Sequence, residues 1–170
     1  GLRMTSTLGD GSTSVFTWFR GGALPILLGD GSSWFIRGPG GMPIEEIRAD
    51  RSVQWLHADQ AGSVRAVTDE RGALTGTLSW DAYGLPVTST GAAHTRIGFQ
   101  GNYTDPDTGL QYLQARYYDP ATGQFLGIDP IVLATRQPFA FANGDPLTYR
   151  DPTGTGVMYI PYGVQGMQNG

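Results

Sequence analysis

The feature that most constrains this chain is a unit that recurs along it. A short run of β-branched and aromatic residues leads into an aspartate-led turn that closes on glycine. Ser63-Val64-Arg65-Ala66-Val67-Thr68 runs into Asp69-Glu70-Arg71-Gly72, and Ala73-Leu74-Thr75-Gly76-Thr77-Leu78-Ser79-Trp80 runs into Asp81-Ala82-Tyr83-Gly84. Gly98-Phe99-Gln100-Gly101-Asn102-Tyr103 and Leu110-Gln111-Tyr112-Leu113-Gln114-Ala115-Arg116-Tyr117-Tyr118 end in the same way, at Thr104–Gly109 and Asp119–Gly123. An aspartate at the head of a turn accepts hydrogen bonds from backbone N–H groups two residues on, and glycine supplies the positive φ that closes the turn. Each unit therefore predicts a strand and a tight reversal.

The first third of the chain repeats the theme less regularly. Val15–Arg20, Trp34–Arg37, Pro43–Arg48 and Val53–His57 read as strands, separated by Gly29–Ser33 and Gly38–Gly41. The 26 glycines and 11 prolines are well above the usual ~12% of a globular chain, and they break helices while punctuating strands. No window carries a 3.6-residue apolar stripe. The expected fold class is all-β, built of successive antiparallel hairpins.

Composition excludes several chemistries. Cysteine is absent, so disulfides, thiolate nucleophiles and cysteine zinc sites are ruled out. Net charge is −4, which repels phosphate backbones, so nucleic acid is not an expected partner. No apolar run approaches the ~18–20 residues of a membrane-spanning helix, so membrane insertion is not expected either. All 11 basic residues are arginine, as a GC-rich coding bias would give. His57 and His94 stand 37 residues apart and read as structural; no metal and no cofactor are expected. Gly38-Pro39-Gly40-Gly41 lacks the Lys-Ser/Thr of a phosphate loop. Asp10-Gly11-Ser12 and Asp30-Gly31-Ser32 lack the acidic ladder of a calcium loop. Gly1-Leu2-Arg3 carries no secretory signal, and the chain reads as a piece of something longer.

Leu56-His57-Ala58-Asp59-Gln60-Ala61-Gly62-Ser63-Val64-Arg65 resembles the last YD repeat of Rhs proteins. Gly98-Phe99-Gln100-Gly101, then Gly109 through Pro120, Gly123 through Pro130, and Asp145 through Gly154 resemble the Rhs-repeat-associated core. The resemblance is dense from 53 to 155. It divides the chain into a weakly matched hairpin segment (1–52), YD-type repeats (53–96), the associated core (97–155) and the start of a variable C-terminal segment (156–170). It implies that the hairpins pair into one curled or spiral sheet, the end of a hollow shell, with the core turned inward as a plug. The implied partners are the chain's own C-terminal payload, often a toxin, and the upstream YD-repeat shell. The implied localisation is secreted or at a bacterial cell surface, after delivery by a secretion system. A strip of such a sheet has an open edge through which it could self-associate.

The resemblance also implies a site. In this family two Asp-Pro-x-Gly motifs 18 residues apart are tied to self-cleavage just after the second. Here Asp129-Pro130-Ile131-Val132 and Asp151-Pro152-Thr153-Gly154 are separated by residues 133–150. Carried over, the catalytic pair is Asp129 and Asp151, and the cut falls between Thr155 and Gly156. The chemistry would be that of aspartic proteases, in which two close carboxylates cannot both ionise. Three positions depart from the pattern: Ile128 where arginine is usual, Val132 where glycine is usual, and Thr155 where leucine is usual. The chain has five Asp-Pro pairs, and the dipeptide is ordinary turn chemistry; only the spacing sets 129 and 151 apart. The 15 residues from Gly156 are too few for a folded toxin. The rival expectation is a non-catalytic extracellular β-module that binds carbohydrate or protein through exposed aromatics. Burial of Tyr112, Tyr117, Tyr118 and Phe125 would favour the shell; an exposed aromatic row would favour the rival.

Overall fold

The computed structural model describes residues 2–7, 9–22 and 24–161. A first hairpin joins β1 (Thr5–Thr7) to β2 (Thr13–Val15). Eight antiparallel strands then form one sheet in which every spatial neighbour is also the sequence neighbour. They are β3 (Thr17–Phe19), β4 (Ile26–Gly29), β5 (Ser33–Arg37), β6 (Pro43–Arg48), β7 (Val53–Ala58), β8 (Val64–Asp69), β9 (Leu74–Trp80) and β10 (Pro86–Ser89). The sheet stays open, with β3 and β10 at its edges. A second, four-stranded antiparallel sheet contains β11 (Tyr103–Thr104), β12 (Gln111–Leu113), β13 (Arg116–Asp119) and β14 (Gln124–Phe125). A four-residue helix, α1 (Val132–Thr135), follows. The last pair is β15 (Tyr149–Arg150) with β16 (Met158–Tyr159).

The turns close as their sequences dictate. Asp59 Oδ1 accepts from the N–H of Ala61 and of Ser63, both at 3.0 Å. Asp69 and Asp81 repeat the arrangement, two and four residues ahead. The closing glycines Gly62, Gly72 and Gly84 have φ of 92°, 80° and 87°, the left-handed region that glycine enters without steric cost.

Alternation then places the core. On β5 and β7 the buried residues Ser33, Phe35, Gln54 and Leu56 share the inner face, while Trp34, Ile36, Trp55 and His57 face out. The inner face packs against the second sheet: Phe16 and Phe35 meet Tyr103 edge-on at 5.5 and 6.3 Å, and Trp18 meets Tyr112 at 6.0 Å. A separate core lies inside the C-terminal half, where Tyr118 stacks on Phe141 at 4.1 Å and Phe99, Leu113 and Phe125 close around them.

Three elements differ from the sequence reading. The run Val15–Arg20 is broken at Phe16, whose ring is buried between the layers. Leu110–Tyr118 is two strands, reversed at Gln114 with φ 62°. A glutamine in that conformation costs roughly 1–2 kcal/mol. Tertiary contacts offset it, because Gln114 Nε2 donates to the carbonyls of Pro25 and Pro152 at 3.1 and 3.4 Å. The segment after Asp129 turns helical at Val132, so no positive φ falls there; it falls at Arg136 instead (56°). The expected start of the variable segment, 156–170, is described only through residue 161, and its Met158 and Tyr159 form β16.

Candidate active site

Asp129 and Asp151, 22 residues apart in the chain, both reach Arg116. Its Nη2 lies 3.4 Å from Asp129 Oδ2 and 3.7 Å from Asp151 Oδ2. All three side chains are buried, none more than 5% exposed. Asp129 is oriented by its own turn: Oδ1 accepts from Ile131 N–H at 2.8 Å, and Oδ2 accepts from the Thr135 hydroxyl at 3.3 Å. Asp151 Oδ1 accepts from the N–H of Gly154 at 2.8 Å, of Thr153 at 3.2 Å and of Gly156 at 3.4 Å. The last of these is the nitrogen of the Thr155–Gly156 peptide bond. Thr155 itself is held by a hydroxyl–hydroxyl contact with Thr153 at 3.1 Å.

Arg116 is anchored independently of the carboxylates. Its Nε donates to the Gly154 carbonyl and its Nη1 to the Pro138 carbonyl at 3.4 Å, while the guanidinium carbon sits 3.6 Å over the Phe125 ring. Burial pushes the Asp151 carboxyl above the usual carboxylate range, although three backbone N–H groups and Arg116 pull the other way. Burial likewise lowers the affinity of Arg116 for its proton, against the pull of both carboxylates. A cation between two buried carboxyl groups offsets the negative charge the pair carries.

The departures from the family pattern have local explanations. Ile128 is 63% exposed, so this position projects into solvent and the buried charge beside the aspartates comes from Arg116 instead. Val132 opens α1, so it needs no left-handed conformation. Gly154 does need one: its φ is 72°, and a Cβ there would lie 2.6 Å from the Leu113 carbonyl. Arg116 falls within the Gly109–Pro120 run that resembles the family core, and sequence alone does not assign it to the site. The signal was alternation: Arg116 shares the buried face of β13 with Tyr118, and an arginine on a buried strand face needs anionic partners.

The remaining candidates do not converge. His57 Nε2 meets the Thr68 hydroxyl at 3.0 Å, and His94 contributes its carbonyl to Gln54 and Arg48. Tyr112, Tyr118 and Phe125 are buried, and Tyr117 is half-buried against the core. Trp34 and Trp55 are exposed on the outer face but form no row. Register puts Trp34 in line with Ile47 and, one strand further, Val53, and Trp55 in line with Glu45 and, one strand further, Ile36.

This open sheet of consecutive hairpins, with an inward-packed C-terminal layer, is the architecture of a shell segment. The chain belongs to the teneurin YD-shell family, whose model matches residues 35–149. The tRNA nuclease WapA of Bacillus subtilis (strain 168) is 33% identical over 115 residues, 62% of this chain and 5% of WapA. The double-stranded DNA deaminase toxin A of Burkholderia cenocepacia (strain H111) is 33% identical over 120 residues, 66% of this chain and 8% of that protein. Among solved structures, the crystal structure of TcdB2-TccC3 superposes with a TM-score of 0.67 at 18% identity, over 91% of this chain and 9% of that one. The chain thus spans less than a tenth of each of these proteins.

Proposed function

We propose that this segment closes the C-terminal end of an Rhs-type shell around a payload that follows it, and that Asp129 and Asp151 cut the chain between Thr155 and Gly156. The observation that carries the cleavage reading is the hydrogen bond from the Gly156 N–H to Asp151, beside a second buried carboxylate. Peptide hydrolysis needs one carboxylate to take a proton from water and one carboxylic acid to give a proton to the leaving nitrogen. Asp151 suits the acid: burial favours its neutral form, and its carboxyl already contacts the nitrogen. Asp129 suits the base. Water adds to the Thr155 carbonyl carbon, the C–N bond breaks, and the proton from Asp151 passes to Gly156. Arg116 positions the loop through the Gly154 carbonyl. Because the substrate is the chain itself, the reacting groups are pre-positioned and the reaction is a single turnover.

Two relatives named for different chemistries, a tRNA nuclease and a DNA deaminase, each match more than half of this chain over a small share of their own length. That supports a shared shell end with the activity elsewhere in each protein. It also supports secretion or delivery as a toxin, with the upstream shell and the payload as partners. The test is to express the longer parent chain, wild type beside Asp129→Asn and Asp151→Asn, and compare denaturing gels with size exclusion. The proposal expects two fragments on the denaturing gel that co-elute natively, and one intact band for each variant. A single intact band for all three overturns the cleavage claim. Fragments that separate natively overturn enclosure.

A further inference from the structure

A cavity of about 430 Å³ lies between the eight-stranded sheet and the C-terminal layer. That volume suits a small organic ligand. Its walls include Trp18, Leu24, Leu27, Tyr103 and Met158. Two arginines, Arg37 and Arg150, also line it, and no aspartate or glutamate does among the described residues. This is unusual in a chain whose net charge is −4.

Arg37 is the group the fold leaves incomplete. Its Nη1 donates to the carbonyls of Gly101 at 2.8 Å and Gly41 at 3.2 Å. Its Nε is buried with no hydrogen-bond partner, and its Nη2 has none among the described residues. Nε and Nη2 form the edge that pairs side-on with a carboxylate. Burial pulls the Arg37 pKa down to about 10, and no neighbouring anion raises it. Three other arginines packed into the fold do have acidic partners: Arg3 has Asp105, Arg96 has Asp30, and Arg116 has Asp129 and Asp151. A desolvated guanidinium without a counter-ion is costly, and a bound anion would remove that cost.

We propose that this cavity binds a carboxylate carried on an apolar body, with the carboxylate on the free edge of Arg37 and the body against Trp18, Leu27 and Met158. The carboxylate belongs either to a free organic acid or to an acidic side chain of a polypeptide; the chemistry recognised is the same. The site is independent of Asp129 and Asp151, so it stands whether or not the chain cleaves itself.

The test titrates the chain with 3-phenylpropionate and, separately, with 3-phenylpropionamide, followed by ¹H–¹⁵N NMR at the amides of Gly38, Gly40 and Gly101. The acid shifts these signals in a saturable way, and the amide binds at least about tenfold more weakly. Arg37→Gln abolishes the acid's effect; Arg150→Gln weakens it. Should Arg37→Gln fail to fold, the acid-to-amide ratio in the wild type and the Arg150→Gln titration decide. A blocked Phe-Glu-Phe peptide that competes with the acid assigns the site to an acidic side chain; one that does not compete assigns it to a free acid. Equal binding of acid and amide, shifts confined to other residues, or no saturable shift overturns the proposal.

Discussion

Replacing Arg116 with methionine removes the cation between two buried carboxylates while keeping most of the side-chain volume. Asp129 and Asp151 are 5% and 3% exposed at the side chain, so neither can recover its hydration without opening the fold. Removing one partner of such a cluster costs about 3–5 kcal/mol. Loss of the contact over Phe125 adds up to about 2 kcal/mol. This is a large share of a total stability of about 5–15 kcal/mol. Urea denaturation at pH 7 reads it: with a slope of about 2 kcal/mol per molar, the midpoint falls by about 1.5–3.5 M. Two further results follow from the same mechanism. Adding Asp151→Asn to Arg116→Met recovers about 1–3 kcal/mol, because one of the uncompensated charges is gone. Lowering the pH from 7 to 4 narrows the gap to wild type, because the stranded carboxylates take up protons. A loss below about 1 kcal/mol at pH 7, or a double variant no better than the single, would refute the reasoning.

Gly154→Ala forces a Cβ to 2.6 Å from the Leu113 carbonyl at a φ of 72°, so we expect a loss of at least about 2 kcal/mol in urea denaturation, with slower cleavage in the parent chain. The Asp30 carboxyl is fully buried; burial works to raise its pKa, but the N–H groups of Ser32 and Ser33 and the Arg96 guanidinium outweigh it and hold the pKa below normal. Its contribution is therefore present above the ordinary pKa of about 3.9 and lost as pH falls through the lower folded value. Asp30→Asn should lower the urea midpoint at pH 7 and flatten its fall between pH 5 and 2. Asp151 has the opposite sign: its pKa is raised in the fold, so it opposes folding once the pH rises through the folded value. Asp151→Asn should remove that part of the decline in stability, measured from pH 4 to 7.

Much of the fold could be read from residues whose conformation is set locally. Asp59, Asp69 and Asp81 head turns because a carboxylate reaches the backbone two residues ahead, and Gly62, Gly72 and Gly84 close them because they have no Cβ. The inner face of β5 and β7 followed from alternation. What escaped reading depends on contacts distant in sequence. Gln114 turns the chain without any turn signal because its amide is held by Pro25, 89 residues away. Phe16 breaks an apparent strand because Tyr103 lies across its ring. Pro86–Ser89 pairs with β9 although Pro86 and all four positions are exposed, which left no pattern to read. The site divides in the same way. The spacing of the two Asp-Pro motifs marked Asp129 and Asp151, whereas Arg116 joins them only through the pairing of β13 with β12 and β14.

The most direct test of the central claim is the N-terminal sequence and mass of whatever the parent chain releases. The account predicts a fragment beginning Gly156-Val157-Met158, matched by a partner ending at Thr155, and neither fragment when Asp129 or Asp151 is asparagine. A fragment that begins elsewhere, or one that still forms in both variants, would contradict it.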